Sequence, residues 1–449
     1  MLILVVLLIG ILLVSVLFPR LNPGLLALTS TFFLAPYLLQ KSPSEAINIL
    51  FPSHLFLTLL GVTFFFGCLN SSGLLDTLLL RIVARFAQAP RSVPFVVFMV
   101  VALFTALGMG NIASVALIAP IAIRLADQLK FSKTLMSILV VGAANAASFS
   151  PLTLPGILID TFIHSNRVLS GKTAPDLLQW IIFTSVFAGI TFVSAVGFFI
   201  LGGFEWWKVH KGSQISQLRD NLPKQTNELT VQQRKASRIS LMLLTLFLLA
   251  SLLALQPLQN SLPENFLWIP KRFSEIGTIG WIGVLLLLSF KAADLEESIQ
   301  RIPWSTILLV CGMSTYIELI NHIGLATQLV ATLKQNIALQ WLTPLVTAAS
   351  ALVSSFTSSV GVALPLFLPL VESLSVGMDE SVLIALLISI CLGSHLVDAS
   401  PLSTLGALCM AQVSNPNERT TLYRSLLFWG IAMVPVSAIA GWIVALILG

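Results

Sequence analysis

The sequence predicts an all-α, polytopic membrane protein built from two halves of opposite orientation. Two observations predict it. Hydrophobic residues fill 56% of the 449 positions and charged residues only 10%, where a soluble domain carries about 25% charge; the mean hydropathy is +0.95. The apolar runs approach the ~20 residues of a membrane helix and do not alternate as the ~10-residue strands of an outer-membrane barrel do. Second, a helix-breaking polar segment interrupts a long apolar run twice. Ser150-Pro151-Leu152-Thr153-Leu154-Pro155-Gly156 is answered by Ser400-Pro401-Leu402-Ser403-Thr404-Leu405-Gly406, 250 residues on. Breaks at corresponding places in two halves point to the binding site of a secondary transporter. The plainer alternative is a pair of Pro kinks in ordinary membrane helices.

Taken in order, Leu2 to Phe18 is a continuous apolar run, followed by Pro19-Arg20 with no basic side chain before it. A signal peptide has the reverse charge order, so this run reads as a retained helix with its N-terminus outside. Gly24 to Gln40 is the second span. Phe56 to Leu69 is the third, continued by an arm from Leu74 to Phe86. The segment 94–125 is interrupted at Gly108-Met109-Gly110-Asn111. Each side of that break has roughly 14 apolar residues, too few to span, which predicts a re-entrant hairpin with Asn111 near its tip. A broken span over 135–162 and a span from Leu178 to Leu201 close the first repeat, residues 1–203.

Residues 204–238 form the one long polar stretch, with seven Lys and Arg, and read as a connector on the cytoplasmic side. The second repeat, 239–449, has spans at Ile239–Leu255, Ile276–Phe290 and Trp304–Ile320, then an arm over Leu325–Lys334. A second hairpin over 344–371 is broken at Ser354 to Ser359; a second broken span covers 382–410, and Leu426–Leu448 ends the chain. Asn70 matches Asn321 at an offset of 251, Pro94 matches Pro344 at 250, and Pro120 matches Pro369 at 249. Each half then has five transmembrane helices plus one re-entrant hairpin, and five is odd, so the halves enter from opposite sides as an inverted repeat. With both termini outside, 18 of the 24 Lys and Arg fall on the inner side, as the positive-inside rule requires. We place the chain in the bacterial inner membrane, multi-pass.

Composition also excludes. Cys68, Cys311, Cys391 and Cys409 lie singly in apolar runs without metal-ligand spacing, and no zinc motif, phosphate loop or dinucleotide fingerprint occurs. The net charge of +5 is the positive-inside bias and implies no nucleic-acid partner. An enzyme is not expected, and no cofactor beyond coupling ions.

The chemistry rests on few residues. Asp398 at mid-bilayer would cost about 2.5–3.5 kcal/mol on insertion scales, so it should face a cavity, a partner or an ion. It could hold a coupling cation, cap the half-helix after Ser400-Pro401, or pair with His395 three residues back. At the hairpin tips, helices starting near Ile112 and Val360 present backbone N–H groups and a positive dipole end, an environment for an anion. Freed carbonyls and small hydroxyls in the broken spans suit a hard cation such as Na⁺; such small residues also serve close helix packing. We assign to the anion Asn111, Ser114, Pro151, Thr153, Thr357, Ser358, Ser359, Pro401, Ser403 and Thr404. To the cation we assign Gly110, Asn145, Ser148, Ser150, Gly156, Ser394, Asp398 and Ser400.

Three segments carry a family resemblance: Gly110 to Pro120 (GNIASVALIAP), Ala144 to Gly156 (ANAASFSPLTLPG) and Gly393 to Cys409 (GSHLVDASPLSTLGALC). The chain resembles the dicarboxylate carriers of the malonate-carrier (MatC) type in the ion transporter superfamily, and more distantly the divalent anion–sodium symporters. The resemblance implies a substrate between two hairpin tips, a cation beside each, and an elevator-like movement in a homodimer. The symporters carry Ser-Asn-Thr at both tips and usually eleven spans. Here the tips read Gly110-Asn111-Ile112 and Ser358-Ser359-Val360, retaining Asn111 alone, and ten spans are read. Moving a dianion inward costs about 4.6 kcal/mol per 100 mV, since each charge costs about 2.3; two cations, Na⁺ or H⁺, cancel it. An Na⁺/H⁺ or oxyanion exchanger, and a non-transporting scaffold or channel, are the alternatives.

Overall fold

A chain in lipid must satisfy its backbone N–H and C=O groups internally, and helix is how this one does it. The computed structural model describes residues 21–75, 92–165, 175–205, 229–254, 268–273, 275–324, 339–375 and 379–448, with isolated positions in the first 20 residues and at 77, 78, 81 and 263. No strand occurs among the described residues. The first predicted span, both arms and the middle of the connector lie largely outside them.

The first half runs α1 (Pro23–Leu39), α2 (Pro43–Leu50), α3 (Ser53–Ser71), α4 (Val93–Phe104), α5 (Asn111–Gln128), α6 (Lys133–Ala146), α7 (Leu154–Ser165) and α8 (Pro175–Ile200). The second runs α9 (Val231–Ala254), α10 (Trp268–Phe273), α11 (Ile276–Ser289), α12 (Leu295–Gln300), α13 (Trp304–His322), α14 (Leu339–Phe356), α15 (Leu364–Ser375), α16 (Glu380–Leu396), α17 (Thr404–Ala411) and α18 (Pro416–Leu448). By length and composition four helical stretches among the described residues can cross a membrane: Ser53–Ser71, Lys133–His164, Leu177–Ile200 and Pro416–Leu448. Apolar helices of 10–17 residues, among them Pro23–Leu39, Ile276–Ser289 and Glu380–Leu396, are shorter.

Several boundaries differ from the sequence reading, each for a local reason. Helix α9 starts inside the predicted connector because Thr230 and Gln233 form reciprocal caps: the Thr230 N–H donates to Gln233 Oε1 (3.1 Å) and the Gln233 N–H to Thr230 Oγ1 (3.2 Å). This pairing satisfies two backbone donors at the helix start. Helix α18 begins at Pro416, ten residues before its apolar run, through exposed turns carrying Glu418, Arg419 and Arg424. The short helices α2 and α12 were not anticipated. Each opens on a side-chain cap: Ser42 Oγ accepts from the Glu45 N–H (3.4 Å) and Asp294 Oδ1 from the Glu297 N–H (2.9 Å).

Matching positions of the two predicted halves share local geometry. Helices α3 and α13 start 251 residues apart, each after a proline in the same conformation: Pro52 (φ −78°, ψ 70°) and Pro303 (φ −78°, ψ 65°). Helix α3 packs on α11, and α13 packs on α1; Gly24 and Gly312 let the latter backbones touch. In the other bundle α8 packs on α6 and α16, while α18 packs on α16 and α6. Asn22 Nδ2 donates to Ser305 O (2.7 Å), so α1 and α13 start side by side. His54 Nε2 meets Glu275 Oε1 (2.9 Å), joining the starts of α3 and α11. Arg301 reaches Asn70 Oδ1 (3.4 Å) at the far end of α3. Lys133 bridges Asp127 (2.6 Å) and Glu418 (2.5 Å), holding the starts of α6 and α18 together.

Candidate functional site

The helices break at both predicted tips. Helix α4 ends in a wide π turn over Thr105–Met109, and Gly110 precedes α5. Gly108 (φ 105°) and Gly110 (φ 82°) hold backbone conformations that a side chain strongly disfavours, which is why the tip reads Gly-Met-Gly. In the second hairpin α14 stops at Phe356, Ser358 is extended (φ −118°, ψ 128°), and a π turn over Ser359–Ala363 leads into α15. Ser358 Oγ caps that turn by accepting from the Gly361 N–H (3.1 Å).

Both broken spans fold the same way. The Ser150 N–H donates to Ala147 O (3.3 Å), and the Ser400 N–H to Val397 O (2.9 Å). The backbone of Ser150 (φ −53°, ψ 141°) has left the helical region, as the steric demand of the following proline favours. Thr153 Oγ1 then accepts from the Gly156 N–H (3.2 Å) and donates to Ser148 O and Ser150 O. Its counterpart Ser403 accepts from the Gly406 N–H (3.5 Å) and donates to Asp398 O. A Cβ at Gly156 or Gly406 would collide with the carbonyl of Ser150 or Ser400. Thus Ser403, not Asp398, caps α17.

The Asp398 carboxylate does something else. Its Oδ1 accepts from Ser354 Oγ (3.0 Å) on the incoming arm of the second hairpin, and its Oδ2 from Ser359 Oγ (2.7 Å) on the outgoing arm. Oδ2 also accepts from Asn145 Nδ2 (3.1 Å), across from the other half. The pairing with His395 does not occur. His395 Nδ1 meets Ser394 Oγ (2.9 Å) and its ring lies 4.6 Å from that of Phe149, while Nε2 has no partner. Asn145 Oδ1 in turn accepts from Asn111 Nδ2 (3.1 Å) at the first tip. One chain of hydrogen bonds thus runs from the first tip to the second through both broken spans. Asp398 is 2% exposed and Asn145 fully buried.

Beside this chain lies a cavity of about 10 Å³, room for about one water molecule, lined by Asn111, Ile112, Ser358, Ser359, Val360, Asp398, Thr404 and Leu405. Both tips and the start of α17 meet there, and among the described lining residues Asp398 is the one ionisable group. Its donors are amides, hydroxyls and carbonyls; among the described residues no cluster of three His, Cys, Asp or Glu occurs. Such oxygens suit a proton or a hard cation.

Of the predicted residues, Asn111, Ser358, Ser359, Asp398 and Thr404 line the cavity, and Asn145 is bonded to it. Others are engaged in their own turns. Ser148 donates to Ala144 O (2.9 Å), Ser394 to Ile390 O (2.8 Å) and Thr357 to Val353 O (2.7 Å). Ser150 Oγ donates to Ala106 O (2.6 Å), tying the first hairpin to its broken span, while Ser400 Oγ accepts from the Leu402 N–H (3.3 Å). Pro151 is half-buried and Pro401 buried within these turns. Ser114 is buried with its Oγ unpartnered. Ser354 was missed. Its signal was the stripe of buried hydroxyls Thr343, Thr347, Ser350 and Ser354 at helical spacing along α14.

The model of the citrate transporter family (CitMHS) matches residues 1–393. No curated protein matches the chain. Among solved structures, the chain is similar to the YdaH transporter of Alcanivorax borkumensis, whose crystal structure was described as revealing an unusual topology. The TM-score is 0.54 and the identity 14%, over 88% of this chain and 85% of that one. A likeness at that identity concerns the fold.

Proposed function

The chain belongs to the citrate transporter family, and from that premise we propose that it is a cation-coupled secondary transporter of a small di- or tricarboxylate. Citrate is the first substrate to test, because the family model is that of a citrate transporter. The observation that carries the reading is the cavity between the hairpin tips, in which a lone carboxylate faces the polar groups suited to an anion. A carboxylate of substrate about 4 Å from a bare Asp398 would meet roughly 4 kcal/mol of repulsion at an effective dielectric near 20. A proton or Na⁺ on Asp398 removes that repulsion, so anion and cation enter together.

Asn111 and the Ser358–Ser359 tip receive the anion, with the start of α5 adding its helix dipole. Asp398, with the oxygens of Ser354 and Ser359, receives the cation. The second broken span has this carboxylate and the first has Ser148 in its place, so two cation sites of unequal strength follow. The cavity is far below the roughly 300–1,000 Å³ of a ligand pocket, so the tips must part to admit the anion.

Crossed packing of α3 on α11 and α13 on α1, with the start-to-start contacts of Asn22 with Ser305 and His54 with Glu275, supports an inverted repeat. The excess of basic residues supports a cytoplasmic connector with both termini outside. An elevator movement of the hairpins and broken spans against the α1, α3, α11 and α13 group, in a homodimer, completes the proposal.

The test is uptake of labelled citrate, malonate and succinate into proteoliposomes under separate inward gradients of Na⁺ and of protons. Uptake of at least one anion should require one of the gradients. Uptake of none, or uptake indifferent to both gradients, would refute the reading.

A further inference from the structure

Asn145 makes three bonds with one amide, and their chemistry fixes its orientation. Nδ2 donates to His395 O (2.8 Å) and to Asp398 Oδ2 (3.1 Å). A backbone carbonyl can only accept, so Nδ2 must face His395. Oδ1 is then obliged to face Asn111, accepting from Asn111 Nδ2 (3.1 Å). Asn111 Oδ1 is likewise fixed, since it accepts from the Ile112 N–H (2.9 Å). All three side chains are buried, at 4%, 0% and 2% exposure for Asn111, Asn145 and Asp398, so water offers no substitute partner.

The amide therefore cannot ignore what happens on Asp398. A metal cation on Oδ2 puts positive charge against the Asn145 N–H. Flipping the amide would relieve that clash but would set Oδ1 against His395 O. The remaining response is for the side chain to shift, and Asn111 at the first tip is bonded to it. The second tip needs no such relay, because Ser354 and Ser359 bind the carboxylate directly.

We infer that Asn145 is the positioning residue that transmits cation occupancy of Asp398 to the first hairpin tip, by the Asp398–Asn145–Asn111 hydrogen-bond chain. The inference rests on the reading of Asp398 as the cation-binding carboxylate. It also reassigns Asn145, which the sequence suggested as a cation ligand, to a coupling role.

The test needs no substrate. Single cysteines are placed by Ala113→Cys beside the first tip, an exposed position, and by Thr357→Cys at the second. The four native cysteines are buried. Thiol labelling rates are measured on the full chain in lipid nanodiscs over a series of Na⁺ concentrations and pH. In the otherwise unmodified chain both tips should respond to the cation, by about fivefold or more if the coupling reaches the usual allosteric range. With Asn145→Ala the first tip should lose its response while the second keeps it. Asn111→Ala, which cuts the same chain at its other end, should do likewise and covers the case in which Asn145→Ala does not fold.

A first tip that still follows the cation in both variants overturns the inference. Loss of response at both tips in folded Asn145→Ala protein also overturns it, by making Asn145 a ligand of the cation. No response at either tip in the unmodified chain overturns the cation reading of Asp398 itself, and the relay with it.

Discussion

Replacing Asp398 separates its charge from its hydrogen bonds. In Asp398→Asn the amide oxygen can occupy the Oδ2 position, where Asn145 Nδ2 and Ser359 Oγ donate, and the new NH₂ can donate to Ser354 Oγ once that hydroxyl turns. Every partner is kept and only the charge is lost. Asp398→Ala instead leaves two hydroxyls and one amide N–H without their acceptor. An unsatisfied buried group costs about 1–3 kcal/mol, and serines can turn back to their own helix carbonyls, so about 2–5 kcal/mol of stability should go. The charge itself is worth about 4 kcal/mol to a cation at 4 Å with an effective dielectric near 20. That is about 10³-fold in cation affinity. Purified variants would be compared by thermal unfolding, and by citrate uptake over a matrix of Na⁺ concentration and pH. Asp398→Asn should unfold near the parent temperature yet need far more cation for half-maximal uptake. Asp398→Ala should also unfold several degrees lower. If Asp398→Asn transports with unchanged cation and pH dependence, the carboxylate is only a tether for the second hairpin, and the coupling argument fails.

Other consequences are independent of transport. Gly406→Ala and Gly156→Ala drive a methyl group into the carbonyls of Ser400 and Ser150. Overpacking of this kind costs about 1–3 kcal/mol, so thermal unfolding should fall in both, and equal tolerance of alanine would refute the shared turn geometry. Burial alone would raise the Glu275 pKa above its ordinary 4.5; hydrogen bonds from His54 and Thr278 and the charges of His54 and Arg272 outweigh it and hold the carboxyl below that value. The folded state thus favours the ionised form, and the gain is present above the ordinary pKa and lost as pH falls through the lowered one. Glu275→Gln should therefore lower the unfolding temperature at neutral pH and match the parent once Glu275 is protonated. Ser213→Cys, in the connector, should resist membrane-impermeant thiol reagents in whole cells; ready labelling there would reverse the proposed orientation.

The elements that break the helical rule were the ones readable in the sequence. Gly108 and Gly110, Ser150-Pro151 and Ser400-Pro401 interrupt apolar runs with residues that have one local reason to be there, and the helices break where those residues sit. The caps of α2, α9 and α12 were equally local and could have been read: Ser42 with Glu45, Thr230 with Gln233, Asp294 with Glu297. The wiring of the site was not local. That Asp398 takes Ser354 and Ser359 rather than His395, three residues away, depends on how α14 packs on α16. The amide of Asn145 reaches His395, its counterpart 250 residues on, only because the halves meet at their breaks. Local bonding was also not legible from spacing: Ser148 and Ser394 donate their hydroxyl protons to carbonyls one turn back.

The central claim is that an anion and its cation meet between the two hairpin tips. A structure of the full chain determined with citrate and with the cation that supports uptake tests it most directly. The account predicts ligand density bounded by Asn111, Ser358, Ser359 and Thr404, with Asp398 within contact distance of a bound cation or hydrogen-bonded to the anion as its protonated form. Density in the larger apolar groove lined by Phe65, Phe66, Leu241 and Phe247, with the tips empty, would contradict it.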